Sequence, residues 1–232
     1  MKGNLNADEA EQKYIVAMGP DLGRFYYLLV NECVLLHLEW AEYRVLFGTN
    51  PERIDLMNQA ARWFFFRLQD TLWERTLLQI ARLMDPPNSG KNKENISLLG
   101  LSELVDQVIR YKIDELIKIA QDKCAFSIDW RKRRIAHRDL ALALNENAKP
   151  LETASRLRVD GALEAIATIL NAVEFHYMDN GTVAYEYTVK PLGGAMALLD
   201  LLREGLEARA RRRQRLASGQ LLSDDVAPKR PI

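Results

Sequence analysis

The sequence predicts an all-α protein, an up-down helical bundle with a short extended segment at residues 182–189. Three observations lead to this prediction. Apolar residues recur at helical spacing along most of the 232 positions, and breaks rich in proline, glycine and asparagine separate these stretches. Alternation typical of a strand is confined to residues 182–189. We therefore expect one helical domain over residues 1–217, followed by a disordered tail over residues 218–232.

The breaks define the first helices. Gly19-Pro20 separates a short acidic stretch from a long helix that ends at Phe47-Gly48. The following segment, residues 49–52, has the polar cap, proline and acid of a helix start. The helix that begins there is expected to stop before Pro86-Pro87, because a proline pair cannot continue a helix.

The rest of the chain follows the same pattern. A polar loop at residues 88–95 precedes an apolar stripe from Leu101 to Ala120, which weakens towards a basic segment. A turn-rich connector at residues 145–150 then separates it from a helix predicted over residues 157–178, and a last helix over residues 195–216.

Composition excludes several classes of protein. The 32 basic and 32 acidic residues balance, so affinity for a nucleic acid has to come from a local cluster. Cys33 and Cys124 stand apart without metal-binding spacing, which argues against a zinc or disulfide framework and for a reducing compartment. No stretch is apolar enough for a signal peptide or a membrane span, so we expect a cytoplasmic protein.

The strongest aromatic cluster is Trp63-Phe64-Phe65-Phe66, with Trp73 further along the same helix. Helical spacing favours core packing for these residues over the alternative, a platform for nucleobases. His37 and His176 are likewise interpreted as packing residues, and Asp70 and Glu74 as members of structural salt bridges.

The segment that can carry chemistry is residues 130–139. Five basic residues occur between Arg131 and Arg138, and His137 lies among them. Positive charge with a titratable imidazole is what a phosphodiester-cleaving site needs, although a solvated basic helix end gives the same pattern. Walker, GxGxxG, HExxH and GxSxG motifs are all missing from the sequence, and His137-Arg138-Asp139 lacks the surroundings of a kinase loop.

This segment resembles the Arg-x(4–6)-His signature of the HEPN superfamily, with Arg131 and His137 as the two motif residues. The upstream string at residues 77–85, a polar loop and Ser97-Leu98-Leu99 are similar to the abortive-infection, phage-defence branch of that superfamily. The resemblance covers roughly residues 46–140. It implies a helical bundle that acts as a metal-independent ribonuclease without a cofactor.

The resemblance also implies roles for the basic residues. His137 would be the acid or base and Arg131 the phosphate clamp, with Lys132 completing the catalytic motif. Arg133, Arg134 and Arg138 would attract the RNA backbone. HEPN proteins commonly carry a small polar residue, often asparagine, at position 132; a lysine can contact phosphate but cannot accept a hydrogen bond from His137.

Helix geometry adds a condition to this assignment. Positions six apart on an ideal helix are about 120° out of line, so Arg131 and His137 share a face only if the helix ends between them or a second chain completes the site. In HEPN proteins two copies of the motif face each other across a dimer interface, so the resemblance implies a homodimer with a composite site.

Two alternatives to the ribonuclease stay open: a non-catalytic RNA-binding or regulatory module on the same fold, and a purely structural interaction protein. An antitoxin or a nucleotidyltransferase is a possible partner. The basic run from Arg209 to Arg215 is interpreted as a charged helix end rather than as an RNA path.

Overall fold

The computed structural model describes residues 7–48, 50–88, 90, 93–137, 139–144, 148–178 and 193–226. Nearly all of these residues are helical, which confirms the all-α prediction. The extended segment predicted at residues 182–189 lies outside the described residues, as does Arg138. No helix among the described residues is long and apolar enough to cross a membrane.

Nine α-helices follow one another along the described chain. They are α1 (Ala7–Met18), α2 (Pro20–Phe47), α3 (Pro51–Leu83), α4 (Leu101–Leu104), α5 (Gln107–Trp130), α6 (Leu140–Leu144), α7 (Arg156–Tyr177), α8 (Ala195–Ser218) and α9 (Ser223–Val226). A 3₁₀ turn at Leu98–Gly100 precedes α4, and a π-helical turn at Arg131–Ile135 follows α5. Helices α2, α3, α7 and α8 therefore begin and end within three residues of the predicted breaks. The stripe predicted from Leu101 is instead divided between α4 and α5, which begins at Gln107.

The chain packs into two compact units. The first contains Met1–Trp40 and Leu72–Thr188, and the second contains Ala41–Thr71 and Val189–Ile232. The single domain expected over residues 1–217 stays a prediction.

The core of the first unit is built from one face each of α2, α3, α5 and α7, with α5 packed along α7. Fully buried side chains from these four helices include Tyr26, Leu36, Ile80, Ile113 and Ile166. Cys33 and Cys124 lie in this core as free thiols, and burial raises the pKa of each to about 12, so both stay protonated at neutral pH.

Glycines set the approach of α1 to α2. Gly19 ends α1 with a positive φ of 84°, a conformation that glycine adopts without steric cost. A Cβ on Gly23 would lie 2.6 Å from the backbone of Ile15, so the two helices can approach this closely only with glycine at that position.

In the second unit, α9 folds back on α8. Asp225 is buried and receives hydrogen bonds of 2.7 Å from both Nε and Nη2 of Arg215, and it also pairs with Arg212. The hydrogen bond from Arg215 and a second from the Leu222 N–H lower the pKa of Asp225 to about 2. Residues 218–226 of the expected tail are thus tied to the basic end of α8, and residues 227–232 lie outside the described chain.

Candidate active site at the end of helix α5

The α-helical register of α5 breaks at the basic motif. Residues Arg131–Ile135 form a π-helical turn in which the Ala136 N–H donates to the Arg131 carbonyl, five residues back, over 2.9 Å. His137 follows in a bend outside the helix. The helix therefore ends between Arg131 and His137, which is the condition that helix geometry set for the two side chains to act together. π turns of this kind recur at functional sites.

Arg131 is held by an acid from another helix end. Its Nη1 pairs with Oδ1 of Asp85, the second residue after α3. The two side chains are 33% and 25% exposed, so the pair faces solvent on one side. Nε and Nη2 of Arg131 form no hydrogen bond with the residues that the structure describes. An arginine fixed through one arm can still offer two N–H groups to a phosphate.

His137 and Lys132 are both exposed. Among the described residues, neither side chain has a hydrogen bond or an ion pair. Both are therefore accessible to a polyanion.

Arg133 has a different environment, because its guanidinium forms ion pairs and hydrogen bonds with other residues of the same chain. It lies 3.6 Å from Asp129 and 3.4 Å from Asp139, and it donates to the carbonyls of Lys149 and, at 3.3 Å, of Pro150. These contacts join the end of α5 to the connector before α7. With its donors committed in this way, Arg133 is a structural residue of the site rather than an exposed cation.

Asp139 also caps the short helix that follows the motif. Its carboxylate accepts a hydrogen bond of 3.1 Å from the Leu142 N–H. That hydrogen bond, and then the one from Arg133, lower the pKa of Asp139 below its ordinary value. Asp139 therefore stays ionised at neutral pH and keeps its hold on Arg133.

Arg134 is half exposed and lies over the ring of Trp130, with 5.1 Å from its guanidinium carbon to the ring centroid. It also pairs with Glu74 of α3 at 3.3 Å, which confirms the structural salt bridge expected for Glu74. The Trp130 indole N–H donates to the Glu152 carbonyl over 2.7 Å. Arg134 thus keeps an exposed edge while tying the motif to α3.

The structure brings two acids to this motif that sequence reasoning did not assign to it. Asp85 and Glu74 both lie on or just after α3, and each pairs with one arginine of the π turn. The available signal was the position of Asp85 at the end of the string that resembles the abortive-infection proteins. The pairing itself depends on the tertiary structure, which brings Asp85 and Glu74 to the π turn.

His176 lies outside the motif, near the end of α7. Its imidazole lies 3.5 Å from Asp106 and contacts the edge of Tyr177, but the residue is exposed rather than packed in the core. In the part of the chain that is described, no group of three or more histidine, cysteine or acidic side chains is placed to hold a metal ion.

The family model for HEPN proteins of the AbiU2 type matches residues 19–192. The chain belongs to the AbiU2 family of HEPN proteins. This confirms the resemblance to the abortive-infection branch, and the match covers Asp85, the π turn and His137. The curated proteins contain no match to this HEPN protein, and neither do the solved structures.

Proposed function

We propose that this HEPN protein is an endoribonuclease that serves as a phage-defence effector or toxin. One observation carries the proposal. At the break in α5, Arg131 is oriented by Asp85 while His137 lies exposed beyond the π turn. A clamped guanidinium and an accessible imidazole are the two groups that cleavage of a ribose phosphodiester requires.

The chemistry uses the nucleophile that RNA carries. The ribose 2′-oxygen attacks the adjacent phosphorus as its proton leaves, and the bond from phosphorus to the 5′-oxygen breaks as that oxygen takes up a proton. His137 supplies one of these proton transfers. Arg131 neutralises the charge that builds on the phosphate oxygens. The products are a 2′,3′-cyclic phosphate and a 5′-hydroxyl, and no metal ion or cofactor takes part.

A second copy of the chain completes the site in this proposal. A single imidazole can serve either as the base for the 2′-hydroxyl or as the acid for the 5′-oxygen. The reaction needs a base and an acid in the same step. A homodimer in which two motifs face each other supplies a histidine for each role and a second arginine for the phosphate.

The other basic residues divide by their contacts. Lys132 is exposed and is proposed to contact an RNA phosphate, and Arg134 can do so with its exposed edge. Arg133 is proposed to hold the loop of the site in place. Arg138 keeps its expected role as a source of positive charge. An antitoxin or a nucleotidyltransferase remains a possible protein partner.

The test is RNA cleavage in the presence of EDTA by wild type, His137→Ala and Arg131→Ala. Each variant is expected to lose activity by a factor of roughly 10² to 10⁴, the usual contribution of such groups. Arg209→Ala is the matched control, because Arg209 is an exposed arginine on α8. Equal cleavage by all four proteins, with unchanged circular dichroism, would remove the catalytic assignment.

A second function is favoured by Lys132 and by the ion pairs of Arg133 and Arg134. A protein that uses its basic motif to build its own structure, and has no asparagine beside the arginine, fits a non-catalytic RNA-binding module. Salt-dependent RNA binding without cleavage in the same experiment would select this function.

A further inference from the structure

The aromatic cluster on α3 is mostly exposed, so its assignment to the core was wrong for three of its four members. Trp63, Phe64 and Phe66 are 73%, 59% and 53% exposed, whereas Phe65 is buried. Trp63 and Phe66 stack on each other, with 5.7 Å between ring centroids and 28° between planes. One face of this aromatic pair is therefore directed to solvent.

A kink in α3 turns this pair into the wall of a cavity. The backbone leaves helical geometry at Ala61, with φ −161° and ψ 67°. Ile54 and Met57 line the cavity before the kink, and Trp63 and Phe66 line it after the kink. Its volume of about 520 Å³ lies in the range of small-molecule sites, roughly 300–1,000 Å³.

Polar groups complete the lining. Asn58 and Gln69 contribute amides, each with donors and an acceptor, and Arg62 contributes a guanidinium. Asn58 and Arg62 are exposed, and neither side chain has a hydrogen bond or an ion pair within the described part of the chain. The site thus combines a flat aromatic surface, hydrogen-bonding edges and one positive charge.

We propose that this cavity binds an unstacked nucleobase of single-stranded RNA. A base would stack on the exposed face of Trp63, its edge would meet the amides of Asn58 and Gln69, and Arg62 would contact the adjoining phosphate. The choice of RNA as the ligand rests on the proposed function. The binding of a base at this site is inferred from the cavity itself.

The polar lining decides against an apolar protein partner as the occupant. A helix or a second copy docked through apolar side chains would remove water from two amides and a guanidinium without replacing their hydrogen bonds. A nucleobase with its phosphate offers hydrogen-bond partners to these groups. The sequence offers two interpretations of this cluster, core packing and a platform for nucleobases, and the exposure of Trp63 favours the platform.

The experiment measures binding of single-stranded RNA by full-length protein carrying His137→Ala, so that the RNA stays intact. In this His137→Ala background, RNA binding is compared for Trp63→Leu and, as a matched control, Phe64→Leu. Phe64 is similarly exposed and contacts Phe65 edge-on, but it does not line the cavity. A second ligand, an oligonucleotide of equal length with abasic sites, separates base stacking from phosphate attraction.

The expected result is quenching of tryptophan fluorescence by RNA, smaller with the abasic strand and smaller in Trp63→Leu. Affinity for RNA should be about tenfold or more lower in Trp63→Leu, the size typical of one stacked base. Phe64→Leu should bind as the parent does. Equal affinity in both variants overturns the proposal, as does a change of oligomeric state in Trp63→Leu without a change in RNA binding. Absence of cleavage by the wild type would instead count against the ribonuclease and leave this result unaffected.

Discussion

Asp85 orients Arg131, whose Nε and Nη2 form no hydrogen bond with the described residues. By pairing with Nη1 it fixes the plane of the Arg131 guanidinium, and a planar fork binds phosphate well only in a fixed orientation. Asp85 does not need to touch RNA for this purpose. It acts as a positioning residue whose effect passes through Arg131.

Asp85→Asn should therefore lower kcat for RNA cleavage by roughly 10- to 100-fold with little change in KM, because misplacement of a catalytic group costs about this much. The measurement is steady-state cleavage of a fluorescent oligonucleotide. Glu39→Gln removes a comparable ion pair, with Arg75 at 2.7 Å, and should leave both constants unchanged. An equal fall in kcat for both variants would point to a general loss of structure.

Glu174 is a buried acid in the contact between α2 and α7. Tyr26 has one hydroxyl proton and lies 2.9 Å from the Leu170 carbonyl and 3.2 Å from Oε2 of Glu174. Because this one proton is shared between two acceptors, the hydrogen bond from Tyr26 stabilises ionised Glu174 only in part. Burial raises the pKa of Glu174, against smaller opposing effects of the Tyr26 hydrogen bond and of Lys13.

A raised pKa means that the folded state prefers the protonated acid. The stabilisation is complete below the pKa of the unfolded chain and is lost as pH rises through the pKa of the folded protein. Glu174→Gln should thus raise the free energy of unfolding by about 1 kcal/mol at pH 7, the size of one hydrogen bond. Near pH 4, where Glu174 is already protonated, the substitution should leave the free energy of unfolding unchanged. Thermal unfolding across this pH range measures the difference. Glu164→Gln, at an exposed position of the same helix, should show no such trend.

The helices show what the sequence could predict and what it could not. The ends of α2, α3 and α8 follow from proline, glycine and asparagine, whose effects on the backbone are local. The π turn and the kink at Ala61 have no such marker. The residues at these two places, Arg131–Ile135 and Ala61, are of types that suit an α-helix. Tertiary contacts must therefore decide the backbone geometry there.

The aromatic cluster shows a limit of periodicity. Four consecutive helical residues point in four directions about 100° apart, so Trp63 to Phe66 cannot all face one core. Phe65 alone of the four is buried. For the motif, the sequence could predict Arg131 and His137 as a pair, but it could not separate Arg133, which binds backbone carbonyls, from the exposed Lys132.

The π turn can be tested as an element by removing one residue from it. Deleting Lys132 would restore α-helical hydrogen bonding and rotate His137 by about 100° relative to Arg131. Cleavage should be abolished while helical content and melting temperature stay near those of wild type. Lys132→Ala keeps the length of the turn. It should raise KM by a few-fold, because one phosphate contact is lost. Similar kinetics for the two variants would show that the turn is not needed.

At the scale of the whole molecule, the proposal makes activity a property of a pair of chains. Each chain carries one motif, and His137 is exposed rather than paired with a second imidazole of its own chain. A site that needs two histidines therefore exists only between protomers. A composite site of this kind differs from a dimer in which each protomer carries a complete and independent site.

Mixing subunits separates these possibilities. Wild-type protein is allowed to exchange with a ninefold excess of His137→Ala, so that about nine in ten wild-type chains pair with the variant. A composite site then loses roughly tenfold of its activity per wild-type chain, while independent sites keep all of it. The same mixture assayed before exchange serves as the control, since its wild-type dimers are still intact. Full activity after exchange, with heterodimers verified by mass, would place the complete reaction within one chain.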